Sequence, residues 1–175
     1  MARGVSAGDG CGCAVRRACP VAAACLPGRR VPCLDVALAH DEKLKFCNAL
    51  EEIADGLPGR LDRRKCLIVA AALPPLLAQS HAYEEKYVFP AFQRNGRNRL
   101  ARLMTVRRLK MEHVEDQCAA QDLADALVEI GEGGPVRNPE ALGFMLRAFF
   151  ETMRRHIAFE REHLFPLVAA EWEQP

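Results

Sequence analysis

From Leu34 onward, apolar side chains recur every three or four positions, with polar ones between them, through four long stretches. Three breaks separate the stretches: Gly-Leu-Pro-Gly at 56–59, Asn-Gly-Arg-Asn at 95–98, and a run rich in Gly, Pro and Asn at 131–139. A 3.6-residue period with few β-branched runs predicts helices over 34–55, 62–94, 98–131 and 139–170. Asn138, Pro139 and Glu140 give the last helix an N-cap, a proline at its first position and an acid in its first turn. Four helices joined by short links make an all-α, antiparallel four-helix bundle. The prolines at 74 and 75 sit inside the second stretch, where each costs about 3 kcal/mol in a regular helix. A kink or a restart is expected there, and either leaves 81–92 as one continuous run.

The helical projection gives the histidines a common direction. His40 lines up with Val36, Leu44, Cys47 and Leu50, and His81 with Leu77, Val88 and Phe92. His113 falls among Leu103, Val106, Leu109, Ala120, Leu123 and Leu127, and His156 among Leu142, Phe149 and Leu167. Each predicted helix therefore sends one histidine toward the core. In both halves the second of these is followed four residues on by a glutamate, Glu85 after His81 and Glu160 after His156. Side chains four apart on a helix differ by about 40° in direction and about 6 Å in height, so each pair can chelate from one face. A single core histidine is ordinarily a packed and hydrogen-bonded residue. Four of them converging with two glutamates is different, because burying uncompensated carboxylates costs several kcal/mol each and a cation relieves that cost. Imidazoles with carboxylates in a bundle core suit iron, manganese or zinc, and two glutamates able to bridge favour two ions over one. Six ligands for two ions leave positions open to dioxygen, nitric oxide, peroxide or water.

The residues that carry this pattern are His40, HAYEE at 81–85, EHVED at 112–116 and HIAFE at 156–160. Together they resemble the hemerythrin-like, or HHE cation-binding, family over roughly Leu34 to Ala170. The resemblance implies an up-down-up-down bundle holding two iron ions in a non-haem centre, bridged by the two acids and an oxo or hydroxo group. It also implies His40, His81, Glu85, His113, His156 and Glu160 as the ligands. One departure matters: the oxygen carriers of the family have a second histidine one turn after the third-helix histidine, and here that position is Gln117. One iron loses a ligand unless Asp116, Glu112 or water replaces it, which turns the expectation from reversible oxygen carriage to sensing, storage or a stress response. The alternatives are a di-iron enzyme consuming peroxide or nitric oxide, and a labile iron-handling module.

Three local choices bear on the site. Glu84, at +3 from His81, also reaches the histidine stripe, but Glu85 matches the +4 spacing of Glu160 and is preferred. His163 forms Glu-x-x-His with Glu160, the pairing of ferritin-like carboxylate proteins; those need it on two helices, so His163 reads as an outer partner or a solvated residue. Tyr83 and Tyr87 read as surface or packing residues that could reach the site.

Composition changes the picture mainly at the N-terminus. Residues 1–33 hold five Arg against one Asp and five of the eight cysteines, without periodicity, and read as a disordered extension ahead of a bundle at 34–175. Arg16-Arg17 precedes an apolar run of only about nine residues broken by a proline, too short for a good export signal. These cysteines also lack the CxxC pairs and nearby histidine of a zinc site. Cys47, Cys66 and Cys118 are scattered through helical patterns, as expected of thiols in a reducing compartment, here the cytoplasm. The basic residues between Arg94 and Lys110 spread around their helix without forming a stripe, so no nucleic-acid partner is expected. No uninterrupted apolar run approaches the ~20 residues of a membrane span, so no membrane partner is expected.

Overall fold

The computed structural model describes residues 32–94 and 98–172. Of the segment 1–33 read as a disordered extension, with the export and zinc readings attached to it, residues 1–31 lie outside the described residues, while Pro32 and Cys33 already belong to the first helix. Four long helical segments account for nearly all of the remainder. Helix α1 is Pro32–Asp55 and α2 runs Arg63–Arg94, with α-helix over Arg63–Tyr83 and Phe89–Arg94 on either side of a π-helical turn at Glu84–Val88. Helix α3 is Arg99–Gly131. Helix α4 begins as Pro139–Phe159, passes through a second π-helical turn at Glu160–Leu164 and ends as Phe165–Trp172. Packing joins α1 to α2 and α4, α2 most extensively to α3, and α3 to α4, the closed ring of an antiparallel up-down-up-down bundle.

Local chemistry explains most boundaries. Asp62 caps α2 by accepting from Lys65 N at 3.0 Å, and Asn138 caps α4 by accepting from Ala141 N at 3.0 Å. Of the kink or restart expected at Pro74-Pro75, the restart does not occur: one α-helix runs through both prolines. Leu73 and Leu77, buried on either side of them, anchor that stretch in the core.

The repeated Phe-Pro acquires a structural meaning here. A proline ring collides with the carbonyl four residues back, and a widened turn in front of it relieves the collision. Both π turns end immediately before Phe-Pro, with Phe89 N–H bonded to Glu84 O and Phe165 N–H to Glu160 O, five residues back in each case.

The interior has three levels. A large apolar cluster (including Leu50, Leu73, Leu123, Leu127, Leu146 and Met153) fills one end, and a smaller one built on Val36, Val88, Phe89, Leu109, Leu164 and Val168 fills the other. Along every helix buried polar residues lie between the two clusters: His40 and Lys43, His81 and Glu84, His113 and Asp116, His156 and Glu160. Leu103 and Leu167, expected on the inner stripes, face outward instead, at 53 % and 39 % exposure. Helix α2 also meets the length and hydropathy of a bilayer-crossing helix, with 39 % of its most apolar window buried inside the fold, although its longest uninterrupted apolar run is shorter than a span requires. Its buried stripe, ending in His81 and Glu84, makes it a core helix of the bundle.

Candidate metal centre

The polar level holds eight strongly buried charged or titratable side chains, all at 5 % exposure or less: His40, Lys43, His81, Glu84, His113, Asp116, His156 and Glu160. At its centre, Glu84, His113, His156 and Glu160 can each present a ligand atom, and the four atoms lie within 4.8 Å of one another. Glu84 Oε2 stands 3.2 Å from His113 Nε2, and Glu160 Oε1 stands 3.5 Å from His156 Nε2. None of these four atoms has a hydrogen-bond partner. Buried polar atoms are seldom left unsatisfied, and a group of four that are all lone-pair donors is what a cation site requires. The residues present therefore fit a metal ion.

The outer atoms of the two imidazoles meet carboxylates. His113 Nδ1 donates to Glu85 Oε1 at 3.1 Å, which leaves the Nε2 lone pair free to ligate. His156 Nδ1 faces Glu112 Oε2 at 3.4 Å and Asp116 Oδ2 at 3.5 Å, close to both carboxylates but hydrogen-bonded to neither. His40 Nε2 donates to Glu160 Oε2 at 2.9 Å and lies 3.7 Å from Glu84 Oε1. The His81 ring stacks on that of His113 at 3.8 Å; its Nδ1 accepts from Gln117 Nε2 at 3.1 Å and its Nε2 has no partner. Gln117 thus supports a histidine, where the oxygen carriers would place another ligand.

Charge in this layer follows from burial and proximity. Burial drives the His81 imidazole down to about 2, with the Lys43 ammonium and His113 adding to the effect, so the ring is neutral. Glu84 is held well below the carboxylate range: burial works against its charge, but the Lys43 ammonium and the neighbouring His113 and His40 imidazoles outweigh it. Glu160 is lowered despite burial and the repulsion of Glu84, because His156 and His40 stabilise its charge. His156 is raised, Glu160 and Asp116 overcoming its burial, and burial raises Asp116.

Of the six ligands expected from the sequence, His40, His81, His113, His156 and Glu160 all lie in the buried level. Glu85 does not. Its side chain is 34 % exposed and divided between His113 and Lys110 Nζ at 3.0 Å, and Glu84 takes the central place. The +4 spacing misled because the two copies differ in length: the first has eight residues between His81 and Pro90, the second nine between His156 and Pro166. Counted back from the prolines, Glu84 and Glu160 are equivalent, each six residues before Pro and each opening a π turn. Lys43 and Ser80 were missed, although Lys43 lies one turn after His40 on the same stripe. His163 is solvent-exposed and packs edge-on against Phe159 at 4.9 Å, away from the buried layer. Tyr83 and Tyr87 pack ring against ring at 4.7 Å.

The chain matches the hemerythrin HHE cation binding domain family over residues 35–168, the whole of the bundle but its ends. It belongs to that family, and the buried His/Glu cluster is a group of side chains that could hold its cation. No curated protein and no solved structure matches the chain.

Proposed function

We propose that this protein holds iron in the buried His/Glu layer and binds a small ligand there (dioxygen, nitric oxide or peroxide) in sensing, storage or a stress response. The observation that carries the reading is the central set of four unpartnered donor atoms on Glu84, His113, His156 and Glu160, one or more from three of the four helices. When bound, ferrous iron supplies electrons and a coordination position that an exogenous ligand can take. The protein's own residues set the conditions. Glu85 on one side, with Glu112 and Asp116 on the other, orients His113 and His156 so that their Nε2 atoms face the carboxylates. The apolar clusters above and below keep bulk water from the layer, and the near-complete burial of the donors favours a ligand of two or three atoms over a larger substrate.

The test is to purify the protein without oxygen, load it with ferrous ion and titrate nitric oxide while following visible absorption. A saturable change, stoichiometric with bound iron, is expected. Protein that takes up no iron and shows no spectral change would overturn the reading. Steady consumption of peroxide over many equivalents would assign the centre to an enzyme.

A further inference from the structure

The two central carboxylates each have one oxygen in the unpartnered set and one outside it. Glu84 Oε2 and Glu160 Oε1 belong to the set, beside His113 and His156. The other pair, Glu84 Oε1 and Glu160 Oε2, faces a second position that is already served. Lys43 Nζ donates to Glu84 Oε1 at 3.0 Å, Ser80 Oγ donates to the same oxygen at 2.8 Å, and His40 Nε2 donates to Glu160 Oε2 at 2.9 Å. Two bridging carboxylates and His40 would be natural ligands for a second ion. An ammonium now sits on one of those oxygens.

Lys43 cannot easily move away. Its side chain is buried to 1 % exposure, among the largest fully enclosed side chains in the bundle, and it arises one turn after His40 on the inner face of α1. Charge balance points the same way. Three buried carboxylates, Glu84, Glu160 and Asp116, are matched by one divalent ion together with one ammonium. A second divalent ion beside Lys43 would leave uncompensated positive charge in a layer closed by apolar clusters, which is costly in a low-dielectric interior.

We propose that Lys43 occupies the place of the second cation, so that this centre binds one metal ion between Glu84, His113, His156 and Glu160 in place of the pair that the family resemblance implies. The inference rests on the metal-binding reading above and adds the count and its cause. His40 and Ser80 then complete a hydrogen-bonded half-site around the lysine.

The experiment is iron per chain, by elemental analysis, after anaerobic reconstitution of the full chain with ferrous ion and removal of excess. After oxidation it is paired with electron paramagnetic resonance, in which an isolated high-spin ferric ion gives a signal and a coupled diferric pair is silent. The wild type is expected to hold one iron and show the isolated signal. Lys43→Met, which keeps the volume and removes the charge, is expected to double the iron content and lose the signal, and Lys43→Arg to stay at one. Circular dichroism checks folding, and Lys43→Gln serves as a second neutral variant. Two irons in the wild type would overturn the proposal and leave the metal-binding reading intact. One iron in the wild type and in both folded neutral variants would also overturn it, since Lys43 would then not set the count. No iron in any form would overturn the metal-binding reading itself.

Discussion

Glu84 and Glu85 are neighbours of the same type with different roles. Glu84 is enclosed and shares its oxygens between His113 on one side and Lys43 and Ser80 on the other, whereas Glu85 sits at the rim and braces His113 from behind. Glu84→Gln replaces a donor oxygen and its charge, so it should lower iron retention after desalting by more than tenfold. Glu85→Gln keeps an oxygen that accepts from His113 and should stay within a few-fold of wild type, whereas loss of an outer partner outright costs 10–100-fold. Equal losses in the two variants would refute this division. His81 offers a second residue-scale test in metal-free protein. Its imidazole titrates near 6.5 when unfolded and about 2 in the fold, so below pH 6.5 the unfolded chain binds a proton that the native one does not. Stability should therefore fall as pH falls, by up to about 1.4 kcal/mol per pH unit. His156, raised in the fold, contributes stability that is already complete below 6.5 and is lost only as pH rises through its raised value. Glu84 and Glu160, held low, join His81 only below about 4.5, where their contribution is lost as they protonate. Urea denaturation of metal-free protein at pH 6.5 and 4.5 measures the His81 contribution as the difference between wild type and His81→Leu, because Asp116, raised by burial, gains stability as it protonates and acts in the opposite sense in both.

At the scale of the helices, the π turns are the decisive local feature. An ordinary α-helix would keep stepping 100° per residue through 84 and 160. Instead, each chain segment widens for one turn at the glutamate and then closes onto Phe-Pro, which ends the polar level and begins the small apolar cluster of Phe89 and Leu164. Helix ends are set by conventional means and can be perturbed without touching the centre. Asn138→Ala removes the acceptor for Ala141 N–H and should cost about 1 kcal/mol. Its melting temperature should fall by a few degrees with iron content unchanged, as read by calorimetry and elemental analysis.

For the whole molecule, the centre is a polar layer between two hydrophobic clusters, and the clusters carry the fold. Leu127, fully buried in the large cluster, should cost about 2–5 kcal/mol when replaced by Ala, with iron uptake retained at low temperature. Metal removal should act differently. Stripping the ion leaves the helices packed but exposes the repulsion between Glu84 and Glu160. Helicity should therefore survive while the melting temperature falls. With free metal at a hundred times its dissociation constant, binding contributes about 2.7 kcal/mol that chelation would take away. Loss of helicity on chelation at room temperature would contradict this and make the ion a folding requirement.

The sequence alone determined the four helices, their capping at Asn138, and the convergence of His40, His81, His113, His156 and Glu160, because helical periodicity is a local property and a histidine on an apolar stripe has only the core to enter. Only the tertiary structure decided which glutamate joined them and what else lay among them. The choice between Glu84 and Glu85 depends on backbone winding just before a proline, a distortion that a regular helical count cannot represent. Lys43 reads as a surface residue by type, and its burial becomes favourable only once α2 brings Glu84 to within 3.0 Å of its ammonium. A buried charge is set by its partners across the bundle, and those partners are far away in the chain.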